Sequence, residues 1–375
     1  MNKPEYLYLH VPFCRHICSY CDFMHSVYNE KLADTWLDSV SEEIKKKDIS
    51  KTLKTIYIGG GTPTCLSLEQ MDRLLTMMDP YACCISEYTA EANPETMTQL
   101  KAECMHKHGI NRASVGYQTD SSTLLQKMNR QHTAEDTENC MRILKEAGIC
   151  NISLDLMYSL PGQTLEMFEM SVNKALSMKP THLSLYSLQI EPNTLFAKQG
   201  VQHADDELEA DMYEWAVSYL PKMGFQQYEI SNFCQPGFES LHNSAYWNYE
   251  DFYGISAGAS GKCGLLRYDN TRNLNQYLKD TAARKETQLC IDESMFEMVM
   301  MGLRLKKGMS LSLFFNRFHE EFASAFAKPA ASLIQKGLLE YADDRIRCTP
   351  AGYEIMNDVL SELMSDEVLA KGRRE

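Results

Sequence analysis

The chain has 375 residues, which suffices for two domains or for one large domain with an appendage. Hydrophobic residues make up 44% and charged residues 23%, as in globular proteins, so intrinsic disorder, collagen-like repeats and coiled coil are excluded. With 37 basic and 51 acidic side chains the formal net charge is −14, so nucleic acid is not expected as a partner.

No stretch approaches the roughly 18 consecutive apolar residues of a membrane span. The start of the chain has no apolar secretory core, and a cytoplasmic protein is therefore expected. The 13 cysteines are an odd number in a long chain, which favours bound metal or buried thiols over a secreted disulfide framework.

Short β-type runs alternate with helical patterns up to about residue 220, at the spacing of βα repeats, and this rhythm predicts parallel strands. The predicted strands cover residues 6–11, 55–58, 88–91, 112–116, 152–156 and 182–186. Leu37, Val40 and Ile44 keep helical spacing and predict an amphipathic helix between the first two strands. Later helices are expected to begin at the capping patterns of Ser67 and Thr133.

The alternation stops around Pro236, and residues 225–262 are expected to form irregular, aromatic-rich extended chain. From Asp292 onward helices dominate, followed by a predicted hairpin over residues 338–348 and a last helix. This order indicates a winged-helix-like module. Such modules often bind DNA, but the acidic segment over residues 358–367 favours a structural role.

A group of cysteines follows the first predicted strand with the spacing CxxxCxxC. Its members are Cys14, Cys18 and Cys21. A loop with this spacing can wrap three thiolates around one inorganic centre, and three soft ligands suit an iron–sulfur cluster or zinc. Zinc needs a fourth ligand, which His10, His16 or His25 can supply, whereas a cubane cluster on three cysteines leaves one iron open. Three buried, unreactive thiols are the third interpretation.

The same loop, preceded by the pattern YxHxPFC, resembles the signature loop of radical S-adenosylmethionine proteins. The resemblance implies that Cys14, Cys18 and Cys21 ligate a [4Fe–4S] cluster whose fourth iron chelates the amino and carboxylate groups of S-adenosylmethionine. Electron transfer from such a cluster produces a 5′-deoxyadenosyl radical, and the protein supplies orientation and exclusion of water. Tyr20, just before the last cysteine, is expected to flank the adenine.

The second predicted strand ends in the sequence GGGTPT, from Gly59 to Thr64. A glycine run after a strand is by itself compatible with a tight turn as well as with a binding loop. Here it resembles the GGE-type motif that pairs with the methionine amino group, in the form typical of the coproporphyrinogen-oxidase-like branch of the family. Gly60, Gly61 and Thr62 are therefore expected to bind S-adenosylmethionine.

Further polar residues stand where this branch binds S-adenosylmethionine, mostly near the ends of the later predicted strands. They are Tyr8, Glu91, Gln118, Arg130 and Asp155. Ligand groups of a parallel barrel gather at the C-terminal ends of its strands. Carboxylates suit the ribose hydroxyls or the amino group, and a guanidinium suits the carboxylate. Each charge taken singly is equally explained as a solvated loop residue or a helix cap.

Two departures distinguish this chain from the oxygen-independent coproporphyrinogen III oxidases of the branch. Those oxidases carry an extension before the cysteine loop and a further cysteine two positions after the third. Here the loop begins at residue 14, and Cys21 is followed by Asp22 and Phe23. The CDF ending resembles instead the heme chaperones of the same branch.

A later segment matches the HNxxYW motif that the resemblance associates with heme. It contains His242, Tyr246 and Trp247. Imidazole is a common axial ligand of heme iron, and the two aromatic rings can stack on a porphyrin. The alternative is a hydrogen-bonded core histidine with aromatic rings that close the edge of the barrel. The chain also lacks the histidine that the branch places in the segment corresponding to Gly258–Gly261.

These patterns together predict an α/β protein with a partial, open, TIM-like (β/α)6 radical S-adenosylmethionine barrel over residues 1–220. An aromatic-rich extension with the heme motif follows over residues 221–290, and a winged-helix-like domain over residues 291–375. The expected function is that of a heme chaperone carrying a [4Fe–4S] cluster and S-adenosylmethionine and passing heme to recipient hemoproteins. This function is compatible with peripheral contact with membrane-bound respiratory proteins. It is also compatible with either a monomer or a homodimer.

Two other classes of function remain alongside the chaperone. One is an oxygen-independent coproporphyrinogen III oxidase of porphyrin biosynthesis, which decarboxylates propionates through the deoxyadenosyl radical. The other is a structural or interaction module stabilised by zinc. Whether the protein is an enzyme is left open, and no catalytic residue is assigned.

Overall fold

The computed structural model describes residues 3–364. The start of the chain and residues 365–375 of the predicted last domain, which include part of its acidic segment, lie outside this range. The strands are β1 Tyr6–Val11, β2 Phe13–Cys14, β3 Ser26–Val27, β4 Thr55–Gly60, β5 Glu87–Ala92, β6 Arg112–Gln118, β7 Asn151–Tyr158, β8 His182–Ser187, β9 Gln226–Gln227, β10 Asn232–Cys234, β11 Phe252–Ile255, β12 Ser260–Cys263, β13 Leu266–Asn270, β14 Arg284–Gln288, β15 Met309–Ser310, β16 Leu339–Ala342 and β17 Arg345–Cys348.

The helices alternate with these strands in the first half of the chain and dominate its end. They are α1 Glu30–Lys46, α2 Leu68–Met78, α3 Gln99–Lys107, α4 Ser122–Lys127, α5 Ala134–Glu146, α6 Leu165–Ser177, α7 Leu195–Lys198, α8 Asp206–Tyr219, α9 Leu241–Trp247, α10 Leu274–Lys279, α11 Ile291–Gly302, α12 Leu311–Phe318, α13 Phe322–Ala325, α14 Ala327–Gln335, α15 Pro350–Glu354 and α16 Met356–Leu363. Within the described residues, no helix has the length and apolar character needed to span a membrane.

One large sheet organises the chain, in the order β14-β13-β12-β11-β1-β4-β5-β6-β7-β8-β10-β9. The strands from β11 to β8 run parallel to their neighbours, and the strands added at either end are antiparallel. Each of the six predicted strands is present, and the predicted α/β fold with parallel strands joined by helices is confirmed. Parallel neighbours need a crossover connection, and an α-helix is its usual form.

The helices cover the sheet with the faces that their apolar spacing predicts. On α1, Leu37, Val40 and Ile44 are buried as expected, together with Trp36, whose indole Nε1 donates to Ser256 Oγ at 2.8 Å. The helix begins at Asn29, whose side chain accepts from a backbone N–H of the first turn. The predicted capping patterns at the starts of α2 and α5 are both present as reciprocal capping boxes.

The expectation of irregular chain over residues 225–262 is wrong. β10 extends the sheet beyond β8, α9 crosses between the two ends, and β11 pairs in parallel with β1 on the other side. These strands are only three and four residues long, too short to show an alternating pattern. Strands from the first two predicted domains thus belong to one sheet.

The C-terminal part forms a second, smaller core. Helices α11 to α16 surround a three-stranded sheet in the order β15-β17-β16, and Phe314, Phe322 and Phe326 pack inside it. The predicted hairpin is β16 and β17, which confirms the winged-helix-like arrangement. This part contacts the large sheet through an ion pair of 2.8 Å between Arg267 Nη1 and Glu297 Oε1.

Candidate functional site

The cysteine loop starts where β1 ends and is tied down at both of its flanks. β2 and β3 pair in parallel on either side of it, and the buried Phe13 ring packs edge-on against Trp36 with 5.6 Å between ring centroids. In the middle of the loop, Ser19 N donates to Met128 O at 3.0 Å, and Ser19 O accepts from Phe196 N at 2.9 Å. These backbone contacts hold the loop in a defined conformation.

Cys14, Cys18 and Cys21 are half-buried free thiols that line one cavity of about 380 Å³. Burial raises the pKa of Cys14 to about 11, opposed by the Thr62 hydroxyl, which donates to its Sγ at 3.5 Å. Burial also raises the pKa of Cys21 to about 12, and the neighbouring cysteines raise it further. Cys14 and Cys21 therefore need a cationic centre nearby to become thiolates, and the iron ions of an iron–sulfur cluster provide one.

The histidines considered as a fourth zinc ligand differ in their surroundings. His25 Nδ1 lies 3.8 Å from Cys21 Sγ, and His16 lines the cavity. His10 faces elsewhere, since its Nδ1 lies 2.9 Å from the Tyr8 hydroxyl and its Nε2 lies 2.7 Å from Met24 O. His10 is therefore a packed structural residue, while the other two leave the zinc interpretation geometrically open.

The glycine loop after β4 lies directly against the cysteine loop. Gly61 N donates to Val11 O at 2.8 Å, and Thr62 N donates to Phe13 O at 2.7 Å. A Cβ on Gly61 would stand 2.4 Å from Phe13 O, and Gly60 adopts a φ of +111° with the His10 ring beside it. Any larger residue at either position would push the two loops apart. The glycines thus serve close backbone approach at the ligand cavity.

A chain of hydrogen bonds links the remaining polar residues of this cavity. Arg130 Nη1 donates to Asn93 Oδ1 at 2.8 Å, and Asn93 Nδ2 donates to Thr62 Oγ1 at 3.1 Å. Arg130 Nη2 also donates to the Tyr20 hydroxyl at 2.9 Å, which fixes the ring before the last cysteine. The sequence analysis did not select Asn93, although it follows Glu91 by only two residues.

Two half-buried carboxylates face the same cavity. Glu91 accepts from the Tyr57 hydroxyl at 2.9 Å and from Gly60 N at 3.0 Å, and burial raises its pKa to about 7. Asp155 accepts from Ser114 Oγ at 3.0 Å, and burial raises its pKa as well. Carboxyl groups held this way can accept hydrogen bonds from hydroxyl or amino groups of a ligand.

The structure brings nearly all the residues predicted to bind the cluster and S-adenosylmethionine into this one cavity. Those lining it are Cys14, Cys18, Tyr20, Cys21, Gly60, Gly61, Thr62, Glu91, Gln118, Arg130 and Asp155. Tyr8 is placed differently and lines a second, adjoining cavity. We call the first one the cluster cavity.

The second cavity has a volume of about 810 Å³, and we call it the motif cavity because His242, Tyr246 and Trp247 line it. It shares part of its wall with the cluster cavity. The residues that line both are Asp22, Phe23, Tyr57, Glu91 and Tyr186. A ligand in one cavity is therefore separated from a ligand in the other by single side chains.

His242 is a buried residue with a partner on each ring nitrogen. Its Nδ1 lies 2.6 Å from Thr55 Oγ1, its Nε2 lies 2.8 Å from the Tyr246 hydroxyl, and its ring stacks on Tyr57. Burial lowers the pKa of His242 to about 3, and the nearby Arg112 adds to this. In this conformation the imidazole is neutral and satisfied, as in the core-histidine alternative.

The helix that carries His242 is held by a carboxylate that the sequence reasoning missed. Glu87 Oε2 accepts from Leu241 N at 2.8 Å, and its Oε1 accepts from His242 N at 3.0 Å. Glu87 is only 3% exposed, and its Oε2 lies 3.9 Å from Arg112 Nε. No motif marks Glu87, because its role depends on a helix more than 150 residues further along the chain.

Replacing His242 by glutamine should change how stability depends on pH. The folded-state pKa of about 3 lies below the ordinary 6.5, so only the unfolded chain gains a proton as pH falls through this range. Below pH 6.5, His242 therefore lowers the free energy of unfolding, by about 2 kcal/mol at pH 5. The free energy of unfolding of the wild type relative to His242→Gln should fall by that amount between pH 7 and pH 5 in denaturant titrations. A constant difference between the two proteins would contradict the burial of a neutral imidazole.

Comparisons with known proteins agree with this arrangement. The profile of the Radical SAM superfamily matches residues 8–175, and that of the HemN C-terminal domain matches residues 292–355. Coproporphyrinogen III oxidase (HemN) from Escherichia coli, described as a radical SAM enzyme, superposes with a TM-score of 0.83 at 22% identity, over 96% of this chain and 90% of that chain. These matches define a radical S-adenosylmethionine fold with the HemN type of C-terminal domain.

Full-length relatives define the family more narrowly. Heme chaperone HemW of Lactococcus lactis is 38% identical over 98% of this chain and 99% of the relative. Heme chaperone HemW of Bacillus subtilis is 37% identical over 96% and 99%, and that of Escherichia coli 33% over 80% and 83%. The chain belongs to the HemW family of radical S-adenosylmethionine proteins. Membership in this superfamily implies a [4Fe–4S] cluster and S-adenosylmethionine, and the cysteines and polar groups of the cluster cavity fit both.

Proposed function

We propose that this protein is a cytoplasmic heme chaperone, which binds heme in the motif cavity and passes it to recipient hemoproteins. The observation that carries the proposal is the motif cavity itself, which contains His242, Tyr246 and Trp247 and adjoins the cluster cavity. The names of the relatives support it, since they are heme chaperones rather than oxidases.

The lining of the motif cavity suits a flat, largely apolar macrocycle. Its volume of about 810 Å³ lies within the range of small-molecule and cofactor sites, about 300–1,000 Å³. The predicted extension over residues 221–290 supplies much of the wall, and α11 adds the side chains of Met300 and Met301. Methionine adapts to irregular ligand surfaces, and Trp and Tyr stack on extended π systems.

His242 is poised to exchange one hydrogen bond for an iron bond. A neutral imidazole is the form that ligates iron, and the lowered pKa of His242 keeps it neutral at physiological pH. Its Nε2 faces the Tyr246 hydroxyl, which itself lines the cavity. Ligation through Nε2 would replace its hydrogen bond with the Tyr246 hydroxyl, and Thr55 would orient the ring through Nδ1.

The cluster cavity has a separate set of tasks. Cys14, Cys18 and Cys21 would hold a [4Fe–4S] cluster, whose chemistry when S-adenosylmethionine is bound is one-electron cleavage of the sulfonium. Arg130 is positioned for a ligand carboxylate, and the backbone after β4 is positioned for its amino group. The hydrogen bonds of Arg130 to Asn93 and Tyr20 hold the guanidinium in place without a ligand.

A heme titration of cluster-reconstituted protein under anaerobic conditions tests the proposal. Wild type should bind one equivalent of heme with a shift of the Soret band, without turnover of coproporphyrinogen III, and should then pass the heme to an apo-hemoprotein. His242→Ala should weaken binding at least about tenfold, the worth of one lost ligand or charge-assisted contact. The matched control is His182→Ala, a fully buried histidine of β8 that lines neither cavity.

The same samples distinguish the alternative function. Formation of protoporphyrinogen IX from coproporphyrinogen III, together with weak heme binding that the His242 substitution does not change, would establish the coproporphyrinogen III oxidase instead. Equal weakening by the His242 and His182 variants would show that His242 acts only through packing.

The affinity for S-adenosylmethionine should fall below neutral pH because of Glu91. Burial raises its pKa to about 7, so at lower pH the carboxyl group is uncharged and accepts weaker hydrogen bonds from ribose hydroxyls or an amino group. Calorimetric titration at pH 6 should show about tenfold weaker binding than at pH 8, since one proton must leave per ligand bound. Glu91→Gln should bind weakly at pH 8 with a flat profile. A flat wild-type profile would remove Glu91 from the binding site.

A further inference from the structure

Two exposed arginines stand on the wall of the motif cavity. Arg267 lies on β13, and Arg272 follows that strand by two residues. The side chain of Arg267 is 48% exposed, whereas His242 and Met24 in the same lining are 1% and 7% exposed. The cavity thus runs from a buried interior of aromatic and sulfur-containing side chains to an exterior edge that carries guanidinium groups.

A third cation in the lining, Lys262, is already paired with a carboxylate. Its Nζ lies 2.5 Å from Asp251 Oδ1 and sits over the Tyr249 ring at 4.0 Å from the centroid. Its side chain is 5% exposed, so a ligand would have to break a buried ion pair to reach it. Arg267 and Arg272 are therefore the cations in this lining that a carboxylate can approach from solvent.

Both arginines retain donors for a ligand. Arg267 gives one nitrogen to Glu297, and Arg272 gives one nitrogen to the backbone oxygen of Asp22. A guanidinium has five N–H donors in a planar fork, so each group can still bind a carboxylate with two of them. Glu297 also keeps a partner if Arg267 turns toward a ligand, because the Tyr249 hydroxyl donates to it at 2.6 Å.

Most of the acidic groups in the same lining are held by donors of their own. Glu91 accepts from Tyr57 and Gly60, Asp269 accepts from Ser260 Oγ at 2.6 Å, and Glu250 lies 3.5 Å from Arg317. Glu250 is thus paired with a cation, and Glu91 and Asp269 have hydrogen-bond donors other than the two arginines. Two arginines at the exposed edge are notable in a chain with a net charge of −14.

We propose that Arg267 and Arg272 bind the two propionate carboxylates of heme, so that the macrocycle enters the motif cavity with its propionates at the exposed edge. The inference rests on the proposed function and adds the recognition of the ligand's acidic groups. Charge-assisted, bidentate pairs with carboxylates are what arginine forms best. The arrangement also places the apolar edge of the porphyrin toward the buried methionine and aromatic side chains.

The test compares heme with its dimethyl ester, in which both carboxylates are masked and the macrocycle and iron are kept. Cluster-reconstituted wild type, Arg267→Gln, Arg272→Gln and the double variant are titrated with both ligands in the same solvent, and the Soret band is followed. The matched control is Arg284→Gln, an arginine of β14 that pairs with Glu286 and lies outside the motif cavity.

Each single variant should bind heme about tenfold more weakly than wild type, and the ester with the affinity of wild type. The control variant should match wild type with both ligands. Loss of affinity for heme and ester alike would show that the arginines act through packing and would overturn the inference, as would unchanged heme affinity. Failure of wild type to bind either ligand would overturn the heme function and the inference with it, a result distinct from the other two.

Discussion

A Cys18→Ala variant is expected to lose the [4Fe–4S] cluster entirely while the protein stays folded. The proposed ligand set needs all three thiolates of the loop, since each cysteine would hold one iron of a cubane. Cys18 is half-buried at the wall of the cluster cavity and is not part of the hydrophobic core. Loops of this kind contribute little to the stability of the sheet. Iron and acid-labile sulfide after anaerobic reconstitution should fall to background, with an unchanged circular dichroism spectrum.

The control for this experiment is Cys150→Ala, because Cys150 is an exposed cysteine remote in sequence from the loop. It should retain iron, sulfide and the absorption of the cluster. Cluster retention by Cys18→Ala would exclude the proposed ligand set. Zinc without sulfide in the wild type would instead favour the structural zinc module. His16 and His25, which line the same cavity as the three cysteines, are the candidates for its fourth ligand.

Glu87→Ala should be the most destabilising of the substitutions considered, by about 3–5 kcal/mol. The change leaves the Arg112 guanidinium buried without its carboxylate, and it removes the acceptor of two N–H groups at the start of α9. Unpaired buried charge and unsatisfied buried donors both cost free energy. Denaturant titrations should show a lower midpoint, and heme binding should weaken because α9 carries His242.

Glu286→Ala provides the comparison for Glu87. Glu286 lies on β14 of the same sheet, is paired with Arg284, and has a side chain 48% exposed. Exposed pairs contribute about 0–1 kcal/mol, so this variant should remain close to wild type. Similar destabilisation by both substitutions would mean that burial of Glu87 does not increase its contribution to the free energy of unfolding.

Local sequence signals were sufficient for the parallel half of the fold, and the resemblance to the family pointed to most of the residues that line the cluster cavity. The predicted strands are short β-type runs at the spacing of βα repeats, such as the one ending at Val11, and the loops after them contain motifs with fixed spacing. The cysteines and the glycines near Gly61 had to lie together because their strands are neighbours in the sheet. Parallel strands gather the residues after their C-terminal ends at one edge, so order along the chain predicts proximity.

Features that depend on distant partners could not be predicted in this way. Nothing local marks Glu87 as the acceptor for α9, or Asn93 as the link between Arg130 and Thr62. The short strands β10 and β11 gain their stability from β8 and β1, so their own sequences hardly show them. The motif predicts His242 as a heme ligand, but its hydrogen bond to Thr55 depends on a residue that only the fold brings near.

The contribution of α11 to the motif cavity bears on how this protein can be dissected. Glu297, Met300 and Met301 belong to a helix of the C-terminal part, yet they line the same cavity as residues of the large sheet. Removing the residues from 291 onward would therefore not yield a smaller working version of the protein. It would open one wall of the cavity to solvent and release Arg267 from Glu297. The C-terminal part therefore supplies one wall of a composite cavity, and an exchange of domains between relatives must keep α11 together with the large sheet.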